Sequence, residues 1–464
     1  MTGATFANRV LGGASGLFGL AAVYGTVRHG LGGLALSCLG AALLTGLALR
    51  LEESRRIGAA LAVLSSFGAL WASDGFLASR STVETRDDRR VEAARAAGVV
   101  ADPRSMLEVV RDLRRTGVDA WPTVYIGNHW KQRSLFRDTL YPLSSISGVT
   151  SVMCGETSYV SYTSDELGFT NPPGQWRMAS AELALVGDSY VMGWCVPPDE
   201  SFASTIRARH PATIVLGHGA SGPLTQLAQI REFLPALRPR HVLWFYYEEN
   251  DLADLTQESG HPILARYLEP AFTQRLAERQ SEVDRRLRML VAERESLAVR
   301  PASAEATEPL GGGSVRNTWS ILTLAHLRER ITGVRSTPPP ERPCCNLALL
   351  RRIVPAMQAA IAGWGGDLAM VYLPSERHIA GRPTGPGEQA GDSVVATVAA
   401  LGVPVLDLRS PLSRLGTSRD LYAYEEAHFS VRGHQAVAAL VLDFLRGRDS
   451  LGSAAVPPTS GMVR

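Results

Sequence analysis

The chain has 464 residues, 45% of them hydrophobic and 20% charged, which suits a folded protein of one large domain or two to three ordinary ones. Its formal net charge of +2 provides no broad basic field, so nucleic acid is not an expected partner. Lys131 is the only lysine; the remaining positive charge is almost all arginine.

Three apolar stretches open the chain, over 10–27, 31–49 and 57–72, and none contains Asp, Glu, Lys or Arg. Each approaches the roughly 20 residues that cross a bilayer core, the third least closely. Their many Gly and Ala residues suit close helix packing in lipid. A membrane region with three transmembrane helices is therefore expected over residues 1–79. The connector "RLEESRR" carries Arg50, Arg55 and Arg56, which favours its placement in the cytoplasm. The chain after Ala72 then emerges on the far side.

Residues 80–180 read as a linker and lead-in. "VETRDDRRVEAARAAG" and "DPRSMLEVVRDLRRTG" predict charged amphipathic helices, the second started by Asp102 and Pro103. "SYVSYTSDELGFTNPPGQW" alternates and then turns, predicting strands or a hairpin. There are five cysteines, Cys38, Cys154, Cys195, Cys344 and Cys345, with no zinc-type spacing. Cys154 and Cys195 are read either as a disulfide of an exported domain or as free buried thiols.

From residue 181 short apolar runs alternate with helical segments. "ELALVG", "ATIVLG", "HVLWFYY", "GDLAMVYL" and "VPVLDL" predict five strands. Helices are expected near Ser201–Arg209 and Leu224–Leu237. Continuous apolar strands alternating with helices indicate a parallel α/β sheet covered on both faces, with its site beyond the carboxyl ends of the strands. This domain is expected over 181–450, with a helical insertion at about 255–340 and a flexible tail over 451–464. Within the insertion, 262–296 and 317–331 predict helices and 300–314 a flexible loop.

Polar clusters fall at the strand ends. The first strand ends in Gly187-Asp188-Ser189-Tyr190, and the second leads into "GHGASGPL" with Gly222. The third ends in "YYEENDL" with Asn250, and the fifth is followed by "YEEAHFSVRGHQAVA" with Glu425, Glu426 and His428. A sheet would gather these four clusters on one rim. Asp188 is expected to hold its turn, His434 to pack or cap the last helix, and Trp244, Phe245 and Tyr246 to be strand core.

This ordered pattern resembles the SGNH or GDSL hydrolase superfamily over about 181–445, apart from the insertion. The resemblance implies a flavodoxin-like three-layer sandwich around a central parallel sheet. It also implies an esterase with Ser189 as nucleophile and His428 as base. The implied oxyanion donors are the amides of Ser189 and Gly222 and the side chain of Asn250. Two positions depart from the family pattern. Glu248 stands where the third block has glycine, where a bulky acid is expected to alter the approach to the oxyanion hole or to bear on substrate choice. Glu425 stands where an aspartate precedes the histidine by three, with Glu426 as the neighbouring candidate, so the third triad member stays open between them or a backbone carbonyl. Neither a cofactor nor a metal is expected.

With the membrane region, the resemblance implies a bacterial inner-membrane protein whose catalytic domain is periplasmic or extracellular. The implied substrate is an O-acyl, or O-acetyl, ester on a carbohydrate or envelope glycan, or else a lipid ester. Transfer to a sugar hydroxyl, with an envelope protein partner supplying acyl groups, and glycan binding without turnover are the alternatives.

Overall fold

A computed structural model describes residues 2–29, 33–80, 95, 100–125, 140–155, 158–298, 345–423 and 428–454. The expected features over 300–314 and 317–331 lie outside these residues, as does the expected helix over 83–98 apart from Arg95. Two compact units are formed: Met1–Val83 with Ala306–Pro340, and Glu84–Glu305 with Glu341–Arg464.

In the first unit the three apolar stretches form helices Gly3–His29, Gly33–Ala48 and Glu53–Arg80. Small residues serve their contacts. Ala7 and Ala60 are fully buried with Leu11. Ser15 Oγ donates across to the Ala42 carbonyl at 2.9 Å. The larger side chains face outward: Leu17, Leu20 and Leu44 are each 70–71% exposed. Among the described residues one segment, Glu53–Ser73, is both long and apolar enough to cross a membrane. The second helix, at 16 residues, falls short of the length expected of a span.

In the second unit the five expected strands form. They follow three short lead-in strands, β1 (Ala120–Pro122), β2 (Thr150–Cys154) and β3 (Tyr159–Thr163). The main sheet comprises β4 (Leu183–Gly187), β5 (Thr213–Gly217), β6 (His241–Tyr247), β7 (Asp367–Leu373) and β8 (Val405–Asp407). Its order is β5-β4-β6-β7-β8, and every pairing is parallel. That is the flavodoxin-like order, with its switch point between β4 and β6.

Strand residues alternate between two cores. Ala184, Val186, Ile214, Trp244 and Tyr246 pack on the face covered by helices Pro223–Phe233 and Leu347–Ala362. Leu183, Leu185, Val215, Leu243 and Phe245 pack on the face covered by helices Phe202–Arg209 and Val431–Ala454. Burying each such large side chain is worth about 1.5–3 kcal/mol, which is why both faces must be covered. The last helix continues to Ala454, past the start of the expected tail at 451.

The lead-in folds with this sheet. Val124, Leu140, Ile146, Val149 and Phe169 share the first core. Strands β1–β3 form their own sheet, with β1 and β2 parallel and β2 and β3 antiparallel. Asn171, from "SDELGFTNPP", covers the edge of β5. Its Oδ1 accepts from the Val215 N–H at 2.8 Å and its Nδ2 donates to the Val215 carbonyl at 2.9 Å. The insertion is less continuously helical than expected. A short helix Pro262–Arg266 is followed by irregular chain and a 3-10 turn, Leu276–Arg279, before helix Gln280–Ala298.

Candidate active site

Ser189 is the first residue of a one-turn helix, Ser189–Met192, which starts where β4 ends. Asp188 caps that turn, its Oδ1 accepting from the Tyr190 N–H at 2.9 Å, as expected of a turn aspartate. Two glycines make room. A Cβ on Gly187 would lie 2.5 Å from Val191 Cγ2, and one on Gly217 would lie 2.2 Å from the Met192 nitrogen. The Ser189 turn therefore presses against β5 more closely than any side chain would allow.

His428 arrives from the other end of the domain. Tyr422 and Phe429 form an isolated antiparallel bridge, and the Ala423 N–H donates to the His428 carbonyl at 2.8 Å. Tyr422 Oη donates to the Pro374 carbonyl beyond β7 at 2.6 Å, tying this segment to the sheet rim. The result is a hydrogen bond of 2.9 Å between Ser189 Oγ and His428 Nε2 across 239 positions of sequence. The imidazole is buried beside the Tyr190 ring, 5.1 Å between centroids. Glu425 and Glu426 lie outside the described residues.

Asn250 caps helix Asp251–Glu258 by position, but its side chain makes no capping hydrogen bond. Its side chain lies close enough to Asp188, next to Ser189, to lower that carboxyl. Burial pushes the Asp188 carboxyl up to about 6 against the lowering effect of the Tyr190 N–H and Asn250. The two residues reach each other because β4 and β6 are neighbours at the switch point.

Gly222 is placed differently from expectation. Its N–H donates to Glu258 Oε1 at 2.7 Å. The backbone donor expected for an oxyanion is therefore already engaged by a buried carboxyl group. Glu258 Oε2 also accepts from the Leu224 N–H at 3.0 Å and the Thr225 N–H at 3.3 Å. The sequence reading missed Glu258. Asp251, Asp254 and Glu258 fall on one helical face, a spacing that ordinarily marks a solvated side. Here burial pushes all three carboxyls up, Asp254 to about 8, with neighbouring acids adding to the shift on Asp251 and Asp254.

Glu248 also departs from expectation. It is fully buried and turned toward the chain leaving β7, where Oε1 accepts from the Ser375 N–H at 2.7 Å and Oε2 from Tyr372 Oη at 3.0 Å. His378 Nδ1 lies 3.2 Å away. Glu248 thus braces the rim where β6 and β7 end.

A second wall comes from the lead-in. Cys154, at the end of β2, is disulfide-bonded to Cys195, which follows the Ser189 turn and has φ 72°. Trp194 stands edge-on to Tyr125 at 5.0 Å and 6.3 Å from the His428 ring. His218, after β5, lies 5.9 Å from Tyr125; burial pushes its imidazole down to about 4, so it is neutral. His434 is also neutral, pushed down by burial to about 3, and its Nδ1 accepts from the Phe202 N–H at 3.2 Å. It thus caps a neighbouring helix rather than its own. Trp244, Phe245 and Tyr246 are strand core. Among the described residues no three His, Cys, Asp or Glu side chains are placed to hold a metal ion.

No family model matches the chain, and no curated protein matches it in sequence. It is similar in structure to a lipase/acylhydrolase from Enterococcus faecalis, with 13% identity and a TM-score of 0.33, over 58% of this chain and 96% of that one. It is also similar to LAE5, an α/β hydrolase enzyme from the metagenome of Lake Arreo, Spain, with 11% identity and a TM-score of 0.31, over 58% of this chain and 97% of that one.

Proposed function

We propose that the chain is a membrane-attached serine esterase. The observation that carries this reading is the 2.9 Å contact between Ser189 Oγ and His428 Nε2 at the switch point of a parallel sheet. A serine hydroxyl is a weak nucleophile until a base accepts its proton, and an imidazole at this distance is placed to accept it. Ser189 Oγ attacks the ester carbonyl as its proton passes to Nε2. The imidazolium returns that proton to the departing alcohol, leaving an acyl-serine. Water, deprotonated by the same imidazole, then attacks the acyl carbon and releases the acid and Ser189. The Ser189 N–H and the Asn250 side-chain amide serve the oxyanion formed in each half. Losing one such donor costs about 3–4 kcal/mol of transition-state stabilisation.

The proposed substrate is an O-acyl ester, such as O-acetyl, on a carbohydrate or envelope glycan. The outward apolar side chains of the first unit support attachment to a membrane, and the Cys154–Cys195 disulfide, a bond kept reduced in most cytosols, supports a catalytic domain outside the cytoplasm. The connector arginines favour a cytoplasmic amino terminus and an external catalytic domain in a bacterial inner membrane. Hydrolysis is distinguished from acyl transfer by whether a glycan acceptor diverts the acetyl group from water. The decisive test is covalent labelling by a fluorophosphonate. Ser189 takes the label in the native chain, loses it on denaturation, and takes it slowly in His428→Ala. A native chain that stays unlabelled at Ser189 overturns the reading.

A further inference from the structure

Helix Asp251–Glu258 connects two parts of the site through its opposite ends. At its start, Asn250 makes no capping hydrogen bond to its own helix, and its side chain lies close enough to Asp188, beside Ser189, to lower that carboxyl. At its end, the buried Glu258 carboxylate binds the amides of Gly222, Leu224 and Thr225. Those amides open helix Pro223–Phe233, whose own N-cap, Gly222, has no side chain to satisfy them. The cap therefore comes from the helix that carries Asn250. The fit is close: a Cβ on Gly222 would lie 2.8 Å from Asp254 Cβ and 2.9 Å from the Leu255 nitrogen. The helix cannot settle further onto the turn, and three hydrogen bonds keep it from lifting away.

We infer that Glu258 is a positioning residue for the proposed ester hydrolysis, pinning the far end of the helix that holds Asn250 and thereby setting where the Asn250 amide meets the oxyanion. The inference rests on the esterase reading. It differs from a general stabilising role in one respect: Glu258 acts through Asn250, so its kinetic effect disappears once that amide is gone.

The test uses the full-length chain in detergent, with p-nitrophenyl acetate as substrate. Glu258→Ala is expected to lower kcat about 30–100-fold with KM within about threefold, the loss typical of a catalytic group displaced by about an ångström. Glu258→Gln keeps one acceptor oxygen and is expected to recover about tenfold of that loss. In an Asn250→Ala background, Glu258→Ala is expected to cost less than about threefold, because coupled residues are not additive. If Glu258→Ala does not fold, the same cycle is run with Glu258→Gln, whose smaller loss must likewise vanish in the Asn250→Ala background. A loss fully retained without Asn250, a change in KM alone, or a native kcat in both Glu258 variants overturns the inference. A native chain that neither turns over ester nor takes a label at Ser189 sinks the esterase reading and this inference together. An active native chain with additive losses sinks the inference alone.

Discussion

Ser189 and His428 meet from supports built in different ways. The serine sits on a shelf: a strand end, a capped turn, two glycines without room for a Cβ, and a disulfide six residues later. The histidine hangs from a hook, made of the Tyr422–Phe429 bridge, backbone hydrogen bonds from the Ala423 N–H to the His428 carbonyl and from the Ser430 N–H to the Leu421 carbonyl, the buried Phe429 ring, and the Tyr422 hydroxyl on Pro374. Asn250 belongs with the shelf, because it starts a helix whose last residue, Glu258, is bonded to the turn after β5. The difference teaches where precision is invested. In the proposed reaction the groups that meet the reacting carbon and oxygen are fixed by the sheet, while the proton carrier needs only to reach one hydroxyl.

The largest effect should come from the two groups that meet. Ser189→Ala and His428→Ala are each expected to lower ester turnover by about 10⁵-fold or more, and the double variant by little beyond either, since the pair acts as one unit. Additive losses, measured as kcat/KM, would mean that shelf and hook do not act together. Asn250→Ala tests the shelf without touching the pair. Its expected cost is about 10²–10³-fold in kcat, with Ser189 still open to the fluorophosphonate. A change in KM alone would remove Asn250 from the oxyanion.

The disulfide tests how much the shelf depends on its lead-in wall. Replacing Cys154 and Cys195 together by alanine is expected to destabilise the domain by about 2–5 kcal/mol. Thermal unfolding reads this, and ester turnover at 25 °C should fall by about tenfold because Trp194 loses its anchor beside the histidine. Turnover unchanged alongside the lower melting temperature would confine the bond to stability.

The smallest effect concerns pH. The buried Asp254 carboxyl lies at about 8 against an ordinary 3.8. Between these values the folded chain holds a proton that the unfolded chain has released. The Asp254 contribution to stability is therefore full below about 4, falls as pH rises toward 8, and levels off above it. Asp254→Asn should flatten this slope, leaving the melting temperature several degrees less dependent on pH between about 5 and 8. An unchanged slope would show that the acids beneath the shelf do not set it.

The strands were legible because burial on two faces leaves a local record. "HVLWFYY" has no polar residue before Glu248 other than its first, and it forms β6 over His241–Tyr247. The meeting of Ser189 and His428 was legible because residue type and strand-end position coincide. Glu258 was not, since an acid every three or four residues on a helix reads as a wet surface until another element covers it. Nor could spacing choose between a bonded and an unbonded Cys154–Cys195 pair, because Cα atoms 4.7 Å apart in space are 41 residues apart in the chain. Glu248 misled for a related reason: its place in the motif is local, but the partners that turn it away, Tyr372, Ser375 and His378, come from beyond β7.

Periodicity and turn chemistry by themselves determined the alternation of strand and helix, the polar rim and the apolar amino-terminal helices, because each depends on neighbours within a few residues. The tertiary structure alone decided that the Gly222 amide serves a carboxylate, that the lead-in walls the site, and that an acidic helix face lies inside. These outcomes depend on which distant surfaces exclude water from one another, and no short stretch of chain carries that information.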